Sequence, residues 1–251
     1  MENSQNIDSK NLEQAHLDFI STVSHELRTP LTSIRGFADT LINSFDKLSP
    51  EQRERFLHII KDQSNRLINL VENLLMVSKI NSENEIFVYK SVSVKPFVTA
   101  CIQLVKAQYK NKTFKTFFEN NLPDILIDTD KFQQILLNLI DNAAKYSYEN
   151  SEIIVKSSQN TQNNTVSIKI INNGEGINQE NLTKIFEKFS RVDSPLTRKV
   201  QGSGLGLYIT RNLTEKMNGN ILVSSKGDEI TFEVTFPIAN FGEPSLKKIK
   251  E

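Results

Sequence analysis

The chain has 251 residues, of which 38% are apolar and 24% are charged, a balance typical of a folded globular protein. Thirty basic and thirty acidic residues cancel, so bulk charge argues against nucleic acid as a partner. The single cysteine, Cys101, excludes an internal disulfide and fits a reducing compartment. Because no apolar run approaches the roughly 18 residues of a membrane span, a cytoplasmic chain is expected, free or as the cytosolic part of a membrane protein.

The first part of the chain carries helical periodicity. Residues 1–10 are polar and are predicted to form a flexible segment. From residue 11 to about residue 45, apolar residues spaced by three, four or seven positions predict one amphipathic helix. Pro30 lies inside this stripe, but the stripe continues beyond it, so the sequence predicts one bent helix rather than two.

A second helix is predicted to begin at a capping box, in which Ser49 is the N-cap, Pro50 the first helical residue and Gln52 the third. Its apolar residues follow a heptad-type repeat as far as Val77. Residues 11–82 are therefore predicted to form an antiparallel helical hairpin. Because one hairpin cannot bury two apolar stripes, two hairpins are expected to pair as a four-helix bundle in a homodimer.

Beyond residue 82 the pattern changes to short strands alternating with helices. Residues 83–90 are predicted to be a linker, with a hinge near residues 81–85, and residues 91–238 an α/β sandwich with a mixed sheet. Residues 239–251 are a predicted tail. Strands are predicted at residues 86–89, 113–119, 125–127, 153–157, 166–171, 220–224 and 230–236. Helices are predicted at residues 95–109, 130–145, 179–186 and 204–217.

One of the three histidines, His25, stands in the distinctive segment FISTVSHELRTPL. A lone helical histidine is usually only a packed or solvated residue. A neutral imidazole at pH 7 is, however, also a competent nucleophile for phosphorus. The neighbouring Glu26 can accept the proton from its other ring nitrogen, and Thr29, one turn further on, offers a hydroxyl that could orient a water molecule.

A polar face is predicted on the helix at residues 130–145. Asn138 and Asn142 are four residues apart, and Lys145 lies beside them. Surrounding leucine and isoleucine residues place this face close to a core, where amides need partners. A magnesium ion with phosphate oxygens would supply them, because an asparagine oxygen is a hard ligand.

Two glycine-rich segments follow, NNGEGI at residues 172–177 and GSGLGL at residues 202–207. Glycines allow backbone amides to approach phosphates, and a helix N-terminus favours negative charge. Between the two segments, residues 194–201 lack a pattern and are predicted to form a mobile lid. Arg191 and Lys145 are candidates to neutralise phosphate charge.

The order of these motifs resembles that of the sensor histidine kinases of two-component systems, over about residues 12 to 238. SHELRTPL resembles the H-box of that family, and the later segments resemble its N, G1, F and G2 boxes. The resemblance implies a dimerisation and phospho-acceptor hairpin followed by a catalytic ATP-binding domain. It also implies ATP-dependent autophosphorylation of His25, with Glu26 as acid/base partner, and phosphotransfer to a response regulator. Thr29 would position water for dephosphorylation of that regulator.

The resemblance further implies ATP and Mg²⁺ as ligands, with Asn142 as the magnesium ligand, and an upstream sensor or transmembrane domain beyond this chain. The sequence identifies neither the input signal nor the regulator. Autophosphorylation in cis and in trans both stay open. The nucleotide-binding positions that it implies are Asn138, Asn142, Lys145, Tyr146, Asn172, Gly174, Gly176, Ile177, Arg191, Gly202, Gly204, Leu205 and Gly206.

One position departs from the family pattern. The G1 box normally begins with aspartate, which accepts a hydrogen bond from the adenine amino group, but this chain has Asn172. Loss of the charge is expected to weaken ATP binding by about five- to thirty-fold. Two readings stay open: an active kinase that tolerates Asn172, or a catalytically weakened, phosphatase-biased dimeric scaffold. A serine/threonine-directed kinase of the same ATP fold is disfavoured, because such kinases lack the hairpin.

Overall fold

The structure is a computed structural model that describes residues 2–82, 85–190 and 202–239, with side chains from Leu17 onward. The chain divides into two compact units, Met1–Leu75 and Met76–Glu251. Among the described residues, no helix combines the length and apolar character that crossing a membrane requires. The predicted tail lies almost entirely outside the described residues.

The first unit consists of helix α1 (Glu2–Ser44), a short 3₁₀ turn (Phe45–Lys47) and the greater part of helix α2 (Pro50–Ile80). Pro30 lies inside an uninterrupted α1, so the prediction of one helix rather than two is confirmed. The prediction of a flexible segment at residues 1–10 is wrong, because α1 begins at Glu2. Residues 2–10 contain no glycine or proline, so nothing in their sequence stops a helix.

The predicted capping box at the start of α2 is confirmed. The Ser49 backbone N–H donates to Gln52 Oε1 at 2.9 Å, and the Gln52 N–H donates to Ser49 Oγ at 3.2 Å. Arg53 fixes the turn before it, since its Nε donates to the carbonyl of Phe45 at 2.9 Å and its guanidinium lies 4.0 Å from the centre of the Phe45 ring. These contacts hold the reversal between the two helices.

The last turn of α2 belongs to the second compact unit, which begins at Met76, inside the helical hairpin predicted at residues 11–82. The physical reason is packing: Val77 and Ile80 are 3% and 2% exposed. In addition, Asn81 Oδ1 accepts a hydrogen bond from the Tyr208 hydroxyl at 3.4 Å. These contacts tie residues 76–81 to the ATP-binding unit predicted from the sequence.

The second unit is an α/β domain. Its strands are β1 (Tyr89–Val92), β2 (Thr113–Phe118), β3 (Ile125–Asp128), β4 (Glu152–Asn160), β5 (Thr165–Asn173), β6 (Asn220–Lys226) and β7 (Glu229–Pro237). Its helices are α3 (Val94–Gln108), α4 (Thr129–Tyr146) and α5 (Gly206–Lys216). The five-stranded sheet has the order β2-β4-β5-β7-β6 and is mixed as predicted, with β2 parallel to β4 and the other pairs antiparallel.

The core of this unit lies between the sheet and the three helices. Helix α4 packs between α3 and α5, and Phe132 of α4 meets Phe236 of β7 edge-on, with ring centres 5.4 Å apart. Cys101 of α3 is fully buried, and burial raises the pKa of its thiol to about 11. Cys101 is therefore a protonated core residue, as its isolation in the sequence indicated.

The predicted strand at residues 86–89 is wrong, because β1 begins only at Tyr89. Residues 85–88 form no regular element and are instead held by side chains of the second unit. Val88 N–H donates to Asp128 Oδ2 at 2.8 Å, and Glu85, which is 7% exposed, pairs with Lys131 at 2.7 Å. The segment predicted to be a hinge is thus anchored at Asn81 and at Glu85.

The predicted helix at residues 179–186 is replaced by two 3₁₀ turns, Gln179–Asn181 and Lys184–Phe186. The second turn directs Ile185 and Phe186 into the core, where Phe186 meets Phe232 of β7 edge-on. A regular helix would place successive apolar side chains three or four positions apart, and these two are adjacent. Tertiary packing therefore decides the local structure here.

Candidate functional site

His25 lies on an exposed part of α1 and so is accessible to a reaction partner. One turn further on, the Thr29 hydroxyl donates to the His25 carbonyl at 3.3 Å. This bond fixes the hydroxyl hydrogen against the helix backbone, whereas the lone pairs of the oxygen face away and remain able to accept from water.

Glu26 is oriented by a residue that the sequence analysis missed. Arg66 Nη2 of α2 lies 3.0 Å from Glu26 Oε2, and both side chains are only 22% exposed. The sequence offered one indication of this pair. Glu26 directly precedes Leu27 and Arg66 directly precedes Leu67, and both leucines belong to the apolar stripes of the two helices. Arg66 therefore holds the carboxylate beside His25 in one orientation.

We expect Glu26 and Arg66 to be energetically coupled by about 0.5–1 kcal/mol, because the pair is partly buried and joins two helices. Urea unfolding of Arg66→Met, Glu26→Gln and the double variant measures this coupling. The exposed pair Arg35–Asp39, 3.7 Å apart and 86% and 58% exposed, serves as control and should couple more weakly. Additive effects at Glu26 and Arg66 would contradict the assignment.

Helix α4 forms one wall of the second candidate site. Its N-cap, Asp128, accepts hydrogen bonds from the backbone N–H groups of Asp130 and Lys131 at 3.1 and 3.2 Å. Its buried face packs into the core, and Asn138, Asn142 and Lys145 lie half-exposed on another face. The sequence predicted this placement of the amides next to a core.

The two asparagines of α4 have different surroundings. Asn138 Nδ2 donates to Thr210 Oγ1 of α5 at 2.6 Å, so this side chain braces two helices. The side chain of Asn142 makes no hydrogen bond to any residue in the described part of the chain, and its amide is available to a ligand. Asn142 is therefore the better candidate for direct ligand contact.

Lys112, which the sequence analysis missed, caps the C-terminal end of α4. Its Nζ donates to the carbonyls of Ser147 and Tyr148 at 2.9 and 2.5 Å, and the residue is only 9% exposed. Burial lowers the pKa of this ammonium group. The contact is favourable because a cation meets carbonyl oxygens at the negative end of the helix.

The first glycine-rich segment runs between the end of α4 and the turn that joins β6 to β7. Gly174 N–H donates to the carbonyl of Asp228 at 2.8 Å, and a side chain at Gly174 would collide with the carbonyl of Tyr146. Further along, Ile177 N–H donates to Ser225 Oγ at 2.9 Å. A Cβ at Gly176 would lie 2.5 Å from a backbone carbonyl oxygen, so both glycines are required sterically.

The second glycine-rich segment approaches the same helix. A Cβ at Gly202 would lie 3.5 Å from Lys145 Nζ and 3.7 Å from the Tyr146 hydroxyl. A Cβ at Gly206 would collide with the amide of Asn138. Gly204 has a φ of +67°, which delays the start of α5 until Gly206.

The structure thus brings both glycine-rich segments together at α4. The side chain of Leu205 is fully buried, so the predicted contact of this residue with a nucleotide would be made by its backbone. Arg191 and the predicted lid at residues 194–201 lie outside the described residues.

Asn172 is the most unusual residue of this region. It lies on β5 between Ile153 of β4 and Ile230 of β7, and it is only 3% exposed. Its Nδ2 is buried and has no hydrogen-bond partner among the residues that the structure describes. An unsatisfied buried amide costs about 1–3 kcal/mol, a cost that an acceptor brought by a ligand would offset.

These features fit a nucleotide. Close packing of Gly174 and Gly206 on their own chain brings both glycine-rich segments to α4. The buried amide of Asn172 lies beside Gly174, whose Cβ position is 3.3 Å from Nδ2. Among the residues that the structure describes, no three His, Cys, Asp or Glu side chains are grouped to hold a metal ion. A neutral Asn142 oxygen fits magnesium only as one ligand of an ion that keeps its waters and phosphate oxygens.

Comparison with known families assigns both parts of the chain. Residues 15–83 match the His Kinase A (phospho-acceptor) domain, and residues 127–240 match the histidine kinase-, DNA gyrase B- and HSP90-like ATPase family.

The sensor protein kinase WalK of Staphylococcus haemolyticus is 34% identical over 234 residues, covering 92% of this chain and 38% of that protein. The sensor histidine kinase WalK of Bacillus subtilis is 33% identical over 239 residues, covering 91% and 38%. The chain therefore spans less than half the length of these relatives.

Solved structures share the fold. Histidine kinase ThkA, in complex with response regulator protein TrrA, superposes with a TM-score of 0.73 at 23% identity and covers 92% of this chain and 65% of ThkA. Full-length ShkA in complex with AMPPNP gives a TM-score of 0.66 at 26% identity, covering 89% and 46%. The matches to both family domains, in this order in one chain, show that the chain belongs to the sensor histidine kinases of two-component systems.

Proposed function

We propose that this chain is the core of an ATP-dependent autokinase that phosphorylates His25, transfers the phosphoryl group to a response regulator and also dephosphorylates that regulator. The observation that carries the proposal is the convergence of two glycine-rich segments on α4, beside the unpartnered amide of Asn172. The same chain presents an exposed histidine next to an oriented carboxylate. The AMPPNP bound to ShkA supports the nucleotide.

The residues of the second unit would divide the work of binding ATP. The Gly174–Gly176 and Gly202–Gly206 segments would offer backbone N–H groups to the nucleotide, and Lys145 and Arg191 would offset phosphate charge. Asn142 would hold magnesium, which when bound neutralises charge on the phosphates. Tyr146 and Ile177 would line the base and ribose, and Asn172 would contact the base.

The residues of the hairpin would perform the transfer. A neutral ring nitrogen of His25 attacks the γ-phosphorus, an N–P bond forms, and the P–O bond to ADP breaks. The proton on the other ring nitrogen passes to the Glu26 carboxylate, which Arg66 holds in place. In the separate phosphatase reaction, Thr29 would orient the water molecule that hydrolyses the phosphoryl group of the regulator.

A homodimer follows from the surface of the hairpin. Several large apolar side chains of α1 and α2 are at least 45% exposed: Leu17, Ile20, Leu31, Ile42, Leu57, Ile68, Val71 and Leu75. A second copy of the hairpin would cover them in a four-helix bundle. We further propose residues 11–82 as the dimerisation hairpin, residues 83–90 as a linker and residues 91–238 as the catalytic domain, with a cytosolic location downstream of a sensor or transmembrane domain.

The test is incubation of the chain with γ-³²P-labelled ATP and magnesium. We expect label that is lost in acid and stable in base, located at His25 by mass spectrometry, and transferred to a purified receiver domain. Acid-stable label, or label on a serine or threonine, would overturn the proposal.

A second candidate function is favoured by one observation, the asparagine at position 172. A weakened, phosphatase-biased dimeric scaffold would show no label as it stands, but Asn172→Asp would restore it. It would still remove phosphate from a phosphorylated regulator. Label in the unaltered chain excludes this candidate.

A further inference from the structure

Asn172 interrupts an apolar row. The side chains of β5 that face the helices are Val166, Ile168 and Ile170, each fully buried, and Asn172 follows as the next inward residue. Its flanking partners across the sheet, Ile153 and Ile230, offer no acceptor. Rotation of the amide would turn its nitrogen towards a ligand that brings an acceptor of its own.

We propose, building on the nucleotide site proposed above, that Asn172 makes the base pocket accept 6-oxopurine nucleotides as well as ATP. The amide carries one oxygen that accepts and one nitrogen that donates. Towards adenine, Oδ1 accepts from the 6-amino group and Nδ2 donates to a ring nitrogen. Towards guanine or hypoxanthine, the rotated amide donates to the 6-carbonyl oxygen and accepts from the protonated ring nitrogen.

A carboxylate at the same position has no donor. It accepts from the 6-amino group of adenine, but it repels a 6-carbonyl oxygen. The inward face of β5 leaves such a carboxylate beside two isoleucines, where repulsion is weakly screened. Asn172→Asp should therefore raise the preference for ATP over ITP by about ten-fold or more.

The experiment measures displacement of the fluorescent nucleotide TNP-ATP by ATP, ITP and GTP. ITP isolates the 6-position, since it lacks the 2-amino group of GTP. The unaltered chain is compared with Asn172→Asp and with a matched control, Asn173→Asp, which makes the same chemical change at the next, exposed residue. Thermal unfolding of each variant shows whether it is folded.

For the unaltered chain and Asn173→Asp we expect ITP to bind within about ten-fold of ATP, and for Asn172→Asp we expect that ratio to widen by about ten-fold. ITP binding more than about a hundred-fold weaker than ATP in the unaltered chain overturns the inference even if Asn172→Asp does not fold. An unchanged ratio in a folded Asn172→Asp does the same. If no nucleotide displaces TNP-ATP, the proposed nucleotide site itself fails, a result distinguishable from a failure of base selectivity alone.

Discussion

Replacement of His25 by asparagine is expected to abolish phosphoryl incorporation from ATP, by about 10³-fold or more, because the side chain that becomes phosphorylated is lost. Nucleotide binding should be unchanged. The exposed position of His25 on α1 means that folding should change by less than about 0.5 kcal/mol. Labelling with γ-³²P-ATP measures the first effect and urea unfolding the second.

His58→Asn is the matched control for this change. His58 is also an exposed histidine of the hairpin, and its Nε2 lies 3.8 Å from Glu54 within α2. Labelling should persist in this variant. Label that survives in His25→Asn, or that disappears in His58→Asn, would show that another histidine is the acceptor.

Asn142→Ala should lower autophosphorylation by about 10²-fold while leaving the free energy of unfolding nearly unchanged. The reason is that the Asn142 side chain makes no hydrogen bond to the described residues, so its loss would remove a contact to magnesium and phosphate rather than one within the fold. Initial labelling rates over a range of magnesium concentrations, together with urea unfolding, measure the two quantities.

Asn138→Ala provides the contrast. Its amide donates to Thr210, so the variant should lose about 1 kcal/mol of stability in addition to activity. Equal destabilisation in both variants, or full activity in Asn142→Ala, would contradict the distinction between Asn138, which links two helices, and Asn142, which contacts the bound ligand. Mixed dimers of Asn142→Ala and His25→Asn add a further result, since recovery of label would demonstrate transfer between protomers.

Local signals account for the parts of the fold that the sequence predicted. The Ser49–Gln52 capping box depends on residues three positions apart, and strand alternation predicted β2 to β7 within a few residues at each end. These features are set by nearest neighbours along the chain, which a sequence displays directly.

Contacts between distant residues account for what was missed. The Arg66–Glu26 pair joins residues 40 positions apart, and Lys112 reaches carbonyls 35 and 36 positions away. The 3₁₀ turns at residues 179–186 result from core packing against β7. Where a strand was predicted at residues 86–89, the Val88 N–H instead donates to the carboxylate of Asp128. No periodicity in the sequence reports such pairings. For Asn172 the sequence showed the departure from aspartate, but only the fold showed that its donor is unpaired.

The buried ammonium of Lys112 also makes the second unit suitable for chemical footprinting. Amine-reactive reagents attack the deprotonated, accessible form of lysine, and Lys112 is tied to two carbonyls with 9% of its surface exposed. On the neighbouring strand β2, Lys115 has half of its side chain in solvent. The reactivity of Lys112 relative to Lys115 therefore reports how often the C-terminal end of α4 opens, and no residue of the chain has to be replaced to measure it.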